Sequence, residues 1–240
     1  MTATIIFDFD GTLAVGNGPV LAFARQVAEV AGDGFLQQVE AGLADFEAGN
    51  SPCRDGYDVV GSLATAHGVT DAQLSRAYRQ SRELLGTDQA PVSTMPGLDD
   101  FLSGLRRHAR LVLATNAPEA GVDAVLDSWR VREAFDALHF EVGKPAGLTA
   151  VVRETLADGP VLAVGDIAEY DLAPAWSQGA DTALVGATSA DDSITVTMRG
   201  RTLAELRTAI ESWAAAAAQS SESPRSDAAG TTRKAVPHHA

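Results

Sequence analysis

The 240-residue sequence predicts an α/β fold in three layers, with a parallel sheet as its core and a small all-helical unit inserted after the first strand. One observation is that short aliphatic runs alternate with helical patterns through the second half of the chain. Another is that the segment between the first and second runs contains helical patterns alone. The hydrophobic fraction of 45% supports a packed core for such a fold.

Five segments of the sequence have the character of strands. Three of them are short aliphatic runs that end at a polar residue or a glycine, which is typical of buried parallel strands. These runs are Ile5–Phe7, Leu111–Ala114 and Val161–Val164. A fourth strand is predicted at Thr182–Val185, and a fifth at Ile194–Met198, where apolar and polar residues alternate as expected at the edge of a sheet.

Helical spacing of apolar residues separates these strands. The predicted helices are Leu98–Arg107, Ala120–Trp129, Leu148–Leu156, Leu172–Gln178 and Thr202–Ala218. Because strands and helices alternate, the sequence indicates parallel strands joined by right-handed crossovers.

Residues 16–90 interrupt this alternation. They contain four helical patterns, at Val20–Val30, Phe35–Phe46, Tyr57–His67 and Asp71–Leu85. Thr70 is the predicted N-cap of the last one. Residues 1–15 and 91–218 are therefore expected to form the core, with 16–90 as a lid over the ligand-binding edge of the sheet or as helices that thicken the core. The polar stretch 219–240 is predicted to be a disordered tail.

Composition excludes several classes of function. The net charge of −14 argues against nucleic-acid binding, which needs lysines and arginines to neutralise phosphates. No apolar run reaches the roughly 18 to 20 residues of a membrane helix, and the N-terminus does not have the pattern of a signal peptide. Cys53 is the single cysteine, so no intrachain disulfide is expected. We therefore expect a cytoplasmic protein with no nucleic-acid or membrane partner.

The first strand ends in the sequence TIIFDFDGTL, which places two aspartates two residues apart. Side chains with this spacing lie on the same face of a strand, so Asp8 and Asp10 can reach one pocket. Gly11 permits a tight turn directly after them. An ordinary turn motif would have a similar composition. Two neighbouring carboxylates repel each other, so a functional pair needs compensating positive charge elsewhere in the chain.

Three later segments place polar side chains at the ends of predicted strands. Thr115 and Asn116 follow the second strand and can bind a phosphoryl oxygen or cap a helix. Lys144 can offset negative charge or lie on the surface. Asp166 follows a very apolar strand and, with Asp8, would form an oxygen site suited to Mg²⁺. Asp171, five residues later, is a further ligand or a neighbour of the ligands. All of these segments meet at one edge of the predicted sheet.

These four motifs resemble those of the haloacid dehalogenase-like (HAD) hydrolase superfamily, the aspartate-nucleophile phosphatases. The resemblance extends over the chain up to the final helix and implies a Rossmann-like core. The helical insertion is similar to the cap domain of the first type (C1), and the segment TMPGLDDFLSGL resembles the return to the core in the phosphoglycolate phosphatase-like branch.

The resemblance implies a role for each motif residue. Asp8 would be the nucleophile, Asp10 the general acid and base, and Lys144 the residue that positions Asp8 and balances its charge. Thr115 and Asn116 would bind the phosphoryl group. Mg²⁺ would be bound by Asp8, by the main-chain carbonyl of Asp10 and by Asp166, with Asp171 as a further ligand or a neighbour of the ligands.

The function implied is a Mg²⁺-dependent phosphatase acting on a small phosphorylated metabolite, as a monomer or homodimer. Asp10 disfavours a dehalogenase, because halide leaves without a proton. The alternatives are a phosphomutase of the same superfamily and a binding or regulatory protein that keeps the fold without turnover. Within the insertion, Arg54 can pair with a second anionic group of the substrate, or belong to a solvated loop.

Overall fold

In a computed structural model, which describes residues 2–222, six parallel strands form a single sheet in the order β3-β2-β1-β4-β5-β6. The strands are β1 (Ala3–Phe7), β2 (Ala109–Ala114), β3 (Ala137–His139), β4 (Val161–Gly165), β5 (Asp181–Val185) and β6 (Met198–Gly200). The central strand β1 pairs with β2 on one side and β4 on the other. This is the strand order of a Rossmann-like fold, and the predicted fold class is confirmed.

Helices cover both faces of the sheet. They are α1 (Gly18–Ala31), α2 (Phe35–Glu47), α3 (Gly56–Ala66), α4 (Asp71–Arg82), α5 (Leu98–Leu105), α6 (Glu119–Ser128), α7 (Ala146–Asp158), α8 (Ala173–Trp176) and α9 (Leu203–Glu222). Side chains of β1 alternate between the two faces, as the pleat requires. Ile5 and Phe7 belong to the hydrophobic cluster of α5, α6 and α9, whereas Ile6 belongs to that of α7 and α8.

Helices α1–α4, which we call the four-helix unit, have a hydrophobic cluster of their own. Val27, Phe35 and Val60 are fully buried within it. The unit is joined to the sheet by two linkers that lie side by side. The amide of Val15 donates to the carbonyl of Ser93 at 2.8 Å, and the amide of Ser93 donates to that of Val15 at 3.1 Å. The unit is therefore inserted through one paired connection after β1.

The edge of the sheet differs from the sequence prediction. The predicted strand Ile194–Met198 is wrong except at Met198, because β6 begins there. The preceding segment forms a loop, since the guanidinium of Arg199 donates to the carbonyls of Asp191 and Ile194. Strand β3 was not predicted, because its three residues are partly exposed and do not form an apolar run.

Two predicted helices have a different form. The predicted helix Leu172–Gln178 is replaced by a π-helical turn at Ala168–Leu172 followed by α8. Helix α9 continues to Glu222, beyond its predicted end at Ala218, and residues 223–240 of the predicted tail lie outside the described residues. Within 2–222, no helix is long and apolar enough to cross a bilayer.

The predicted N-cap of α4 is confirmed. The Thr70 hydroxyl accepts a hydrogen bond from the amide of Gln73, and the Gln73 side chain accepts one from the amide of Thr70. Replacing Thr70 by Ala removes the first bond, so we expect the free energy of unfolding to fall by about 1 kcal/mol. Chemical denaturation measures this change. Ser75→Ala, at an exposed position within α4, is the control and should change it by less than about 0.5 kcal/mol.

Candidate active site

The two aspartates of the first motif lie at the carboxyl end of β1. Between them, Phe9 is fully buried and its ring stacks on Trp129. The Phe9 carbonyl accepts hydrogen bonds from three successive amides, those of residues 12–14, which closes a tight loop. Because Phe9 is anchored in the core, Asp8 and Asp10 both face a cavity of about 240 Å³, which we call the inner cavity. The predicted shared pocket is therefore present.

Lys144 lies between two of the buried carboxylates. Its Nζ is 2.6 Å from Oδ1 of Asp8 and 2.6 Å from Oδ1 of Asp171. The side chain of Lys144 is only 3% exposed. Burial alone would lower the pKa of Lys144, but the two carboxylates raise it above its ordinary value. The lysine is thus a buried cation that holds Asp8 in place.

Asp171 is brought to Lys144 by the π-helical turn. A π-turn adds a residue to the helical repeat, and such turns are frequent at functional sites. Oδ2 of Asp171 accepts a hydrogen bond from the amide of Ile167 at 3.0 Å, while Oδ1 accepts from Lys144. The amide of Asp171 also donates to the carbonyl of Ile167 at 2.8 Å. Both carboxylate oxygens are therefore occupied in orienting the lysine and the turn.

Asp8, Asp166 and Asp171 form an acidic cluster in which one oxygen of each lies within 4.8 Å of the others. Gly11 is packed against it, and a Cβ at Gly11 would lie 2.1 Å from Oδ2 of Asp166. The positive φ of 80° at Gly11 also favours glycine. The loop of the first motif therefore approaches Asp166 more closely than a side chain would allow.

The cluster carries more negative charge than Lys144 can balance. Burial raises the pKa of Asp8 to about 7, although Lys144 opposes the shift. Burial also raises the pKa of Asp166 well above its ordinary value, and Asp8 and Asp171 add to this effect. Three carboxylates facing one ammonium leave an excess of negative charge, which a divalent cation would neutralise. The oxygen donors and the charge of the site both fit Mg²⁺.

Thr115 and Asn116 follow β2 and line the inner cavity. The Thr115 hydroxyl accepts a hydrogen bond from the amide of Ala117 at 3.0 Å, which leaves its proton available for donation. The side-chain oxygen of Asn116 accepts from the amide of Lys144 at 2.8 Å. Asn116 therefore fixes the loop that carries the lysine, in addition to facing the cavity.

Arg82 was missed by the sequence interpretation. It lies at the end of α4, its side chain is 1% exposed, and its Nη1 is 2.9 Å from Oδ1 of Asp10. The same nitrogen lies 2.9 Å from the Tyr57 hydroxyl. Burial alone would lower the pKa of Arg82, but Asp10, Tyr57 and Tyr78 raise it above its ordinary value. Arginine on an amphipathic helix usually faces solvent, so the helical pattern did not predict the contact between Arg82 and Asp10.

Arg54 lies in the loop before α3 and makes a fork-like pair with Asp58. Its Nε is 3.3 Å from Oδ2 of Asp58 and its Nη2 is 3.2 Å from Oδ1. Its Nη1 donates to the hydroxyl of Tyr170, over whose ring the guanidinium lies. Because Tyr170 belongs to the π-turn, this contact joins the four-helix unit to the core beside the inner cavity.

A second cavity of about 190 Å³, the outer cavity, adjoins the first. Asp10, Asp55, Tyr57 and Asp166 line both cavities. The rest of the outer cavity is bounded by the four-helix unit, by the linker after β1 and by the loop that follows β5. The two cavities together form a pocket between the sheet and the four-helix unit.

Comparison with known proteins identifies the family. The sequence profile of the haloacid dehalogenase-like hydrolases matches residues 2–175. The chain belongs to this family. The predicted resemblance is confirmed, and the hydrolase carries the four motifs at one edge of its sheet. No curated protein matches the chain.

Solved structures share the fold of the hydrolase. CbbY of Rhodobacter sphaeroides, in complex with phosphate, is 21% identical with a TM-score of 0.58, over 86% of this chain and 96% of that one. YfnB of Bacillus subtilis, bound to magnesium, is 20% identical with a TM-score of 0.59, over 87% and 98%. A HAD phosphatase of Thermococcus onnurineus is 18% identical with a TM-score of 0.53, over 88% and 98%.

The buried position of Lys144 predicts a large effect on stability. Lys144→Met leaves Asp8 and Asp171 without their counter-ion, so the free energy of unfolding should fall by about 3 kcal/mol. The control is Arg110→Met, which breaks a pair with Asp158 whose side chains are 43% and 58% exposed. Such a surface pair contributes about 0–1 kcal/mol. Equal losses in chemical denaturation at pH 7 would contradict the structural role of Lys144.

Proposed function

We propose that the hydrolase is a Mg²⁺-dependent phosphatase that acts on a small phosphorylated metabolite through an aspartyl-phosphate intermediate. The observation that supports this most directly is the placement of Asp8. Its carboxylate faces the inner cavity, with Lys144 at 2.6 Å on one oxygen. A carboxylate held in one orientation, beside a cation and a phosphate-sized space, is suited to attack phosphorus.

In the first half of the reaction, an oxygen of Asp8 attacks phosphorus and the bond to the leaving alcohol breaks. The Thr115 hydroxyl donates a hydrogen bond to a phosphoryl oxygen, and Asn116 faces the same group. Asp10 is placed between the inner and outer cavities, where it can give a proton to the departing oxygen. The alcohol then leaves through the outer cavity.

In the second half, Asp10 accepts a proton from a water molecule that attacks the aspartyl-phosphate. Inorganic phosphate is released and Asp8 is regenerated. Lys144 stays charged throughout, because Asp171 stabilises its ammonium form and further negative charge comes from Asp8 or, in the intermediate, from the phosphoryl group bound to Asp8. The lysine therefore balances the negative charge that the phosphoryl group brings into the buried site.

Asp8, the main-chain carbonyl of Asp10 and Asp166 would hold Mg²⁺, with Asp171 nearby as the partner of Lys144. When bound, the ion supplies electrostatic stabilisation for the charge on the phosphoryl oxygens. The raised pKa values of Asp8 and Asp166 support a cation at this place. Residues 16–90, built around the four-helix unit, would serve as a cap that covers the pocket and excludes water, since they supply one wall of both cavities.

The first test is release of inorganic phosphate from phosphate monoesters. Wild-type protein should turn over a panel of small phosphate esters only when Mg²⁺ is present. Asp8→Asn should reduce kcat by at least about 10³-fold, because the amide is a poor nucleophile. The matched control is Asp45→Asn, an exposed carboxylate of α2, which should keep full activity.

Two outcomes would contradict this function. Equal activity of wild type and Asp8→Asn would show that the phosphate release comes from another source. Formation of an isomeric phosphate ester in place of free phosphate would indicate a phosphomutase, because the phosphoryl group would then pass from Asp8 to a second hydroxyl. Product analysis by ³¹P NMR distinguishes free phosphate from an isomeric phosphate ester. The rates of phosphate release compare the wild type with Asp8→Asn.

The charges around the outer cavity indicate which alcohol it accepts. Among residues 2–222, four carboxylates line it, those of Asp10, Glu47, Asp55 and Asp166. Asp10 pairs with Arg82 and Asp166 would bind Mg²⁺, so the unbalanced negative charge is that of Glu47 and Asp55. The cation in the lining formed by these described residues is Arg54, and its charge is paired with Asp58. We therefore propose that this alcohol is neutral or carries an amine that faces the carboxylates, and that Arg54, whose charge is balanced by Asp58, lines the wall beside it. A carboxylate on the alcohol would be repelled.

Charge-matched esters test this preference. We expect kcat/KM for 2-aminoethyl phosphate and ethyl phosphate to exceed that for phosphoglycolate by at least about 10-fold, which corresponds to about 1.4 kcal/mol of repulsion. Glu47→Gln should narrow the difference. Glu40→Gln, an exposed change on the same helix but outside the cavity, should not. A preference for phosphoglycolate would show that Arg54 recognises a carboxylate.

A further inference from the structure

We propose that Arg82 is a positioning residue for the general acid and base Asp10, an inference that rests on the proposed phosphatase function. The first observation is the contact itself. Nη1 of Arg82 lies 2.9 Å from Oδ1 of Asp10, while the side chain of Asp10 remains 24% exposed. Arg82 binds one oxygen of the Asp10 carboxylate from the side away from the pocket, and the other oxygen is left for proton transfer in the pocket.

The environment of Arg82 argues against a purely structural role. Burying a guanidinium is costly unless its donors are paired. Within residues 2–222, Nε and Nη2 of Arg82 have no hydrogen-bond partner. A buried charge that satisfies only part of its donors is a poor means of stabilising a fold. Its location is better explained by the group that it does contact, which is Asp10.

Arg82 lies behind the wall of the pocket. It is not among the residues that line the inner or the outer cavity. The Tyr57 hydroxyl shares its Nη1, and Tyr57 itself lines both cavities in front of it. Any effect of Arg82 on the reaction therefore passes through the side chains that it contacts, which are Asp10, Tyr57 and Tyr78.

The backbone of Arg82 packs closely against the core. Gly121, at a kink near the start of α6, lies so close that a Cβ there would be 2.4 Å from the Arg82 carbonyl oxygen. The φ of 83° at Gly121 also favours glycine. The side chain of Arg82 thus extends from the four-helix unit, while the main chain of the same residue packs against the core. Asp10 is oriented only when α4 is docked in this way, so Arg82 joins docking to acid catalysis.

Leaving-group dependence tests this role. The ratio kcat/KM reports the steps up to departure of the alcohol, which needs a proton from Asp10 if the alcohol is a poor leaving group. Arg82→Met should lower kcat/KM about 10²-fold for ethyl phosphate, the size of a typical general-acid contribution. For 4-nitrophenyl phosphate, whose phenolate leaves without a proton, the loss should stay below about 5-fold. Arg79→Met, an exposed arginine on α4, is the control and should change neither value.

A double-mutant cycle separates positioning from structure. If Arg82 acts through Asp10, adding Arg82→Met to Asp10→Asn should lower kcat/KM for ethyl phosphate by less than about 3-fold more. Arg82→Lys keeps a buried cation but loses the planar fork, so it should show the same ester pattern with a loss of about 10-fold. If the methionine variant fails to fold in thermal denaturation, the lysine variant provides the test.

Equal losses on the two esters, or a full additional loss in the Asp10→Asn background, would overturn the role of Arg82 and leave the phosphatase function intact. Failure of the wild-type protein to release phosphate from either ester would overturn the proposed function, and this inference with it. A larger loss of kcat/KM for ethyl phosphate than for 4-nitrophenyl phosphate, in both Arg82 variants, supports the positioning role.

Discussion

The arrangement of the site depends on one buried cation. Lys144 bridges Asp8 and Asp171 at 2.6 Å each, and without it two carboxylates would face each other in a largely dry environment. Several features of the chain serve this contact. The π-turn brings Asp171 into reach, and Asn116 binds the amide of Lys144. The sheet contributes β1 and β4 as neighbours, so that Asp8 and Asp166 end side by side.

Electrostatics in this site explains why a metal ion would complement the lysine. The pKa values of Asp8 and Asp166 are raised because burial is only partly compensated. The first strand therefore ends in a place that is unfavourable for charge unless cations are present. Carboxylates with strongly shifted pKa values generally cluster at functional sites, and Asp8 and Asp166 follow this tendency.

Much of the architecture could be predicted from the sequence. The aliphatic runs located four of the six strands, because buried parallel strands have a strong composition signal. β3 and β6 have three residues each, which is too short for a clear composition signal. The residues of the four motifs came together because parallel strands share one edge. Arg82 was missed, because a helical pattern does not show that a polar side chain turns inward to meet a residue 72 positions away.

The side-chain contacts of Arg54 could not be predicted from the sequence either. Its pairing with Asp58 and its contact with Tyr170 depend on how α3 is placed against the core. The acidic lining of the outer cavity has the same origin, since it gathers residues from the motif loop, from α2 and from the loop before α3. Substrate selectivity is therefore a property of tertiary packing, whereas the reaction class is visible in short motifs.

The separate hydrophobic cluster of the four-helix unit has an evolutionary consequence. Because Val27, Phe35 and Val60 belong to a hydrophobic cluster separate from those of the sheet, the interior of the unit can be repacked without direct contact with the buried network of Lys144 and its carboxylates. The paired linkers at Val15 and Ser93 confine the connection to a single place. A lineage could thus replace the wall that meets the alcohol while retaining the phosphoryl chemistry. Arg82 and Arg54 would be the exceptions, because they join that wall to Asp10 and to the π-turn that carries Asp171.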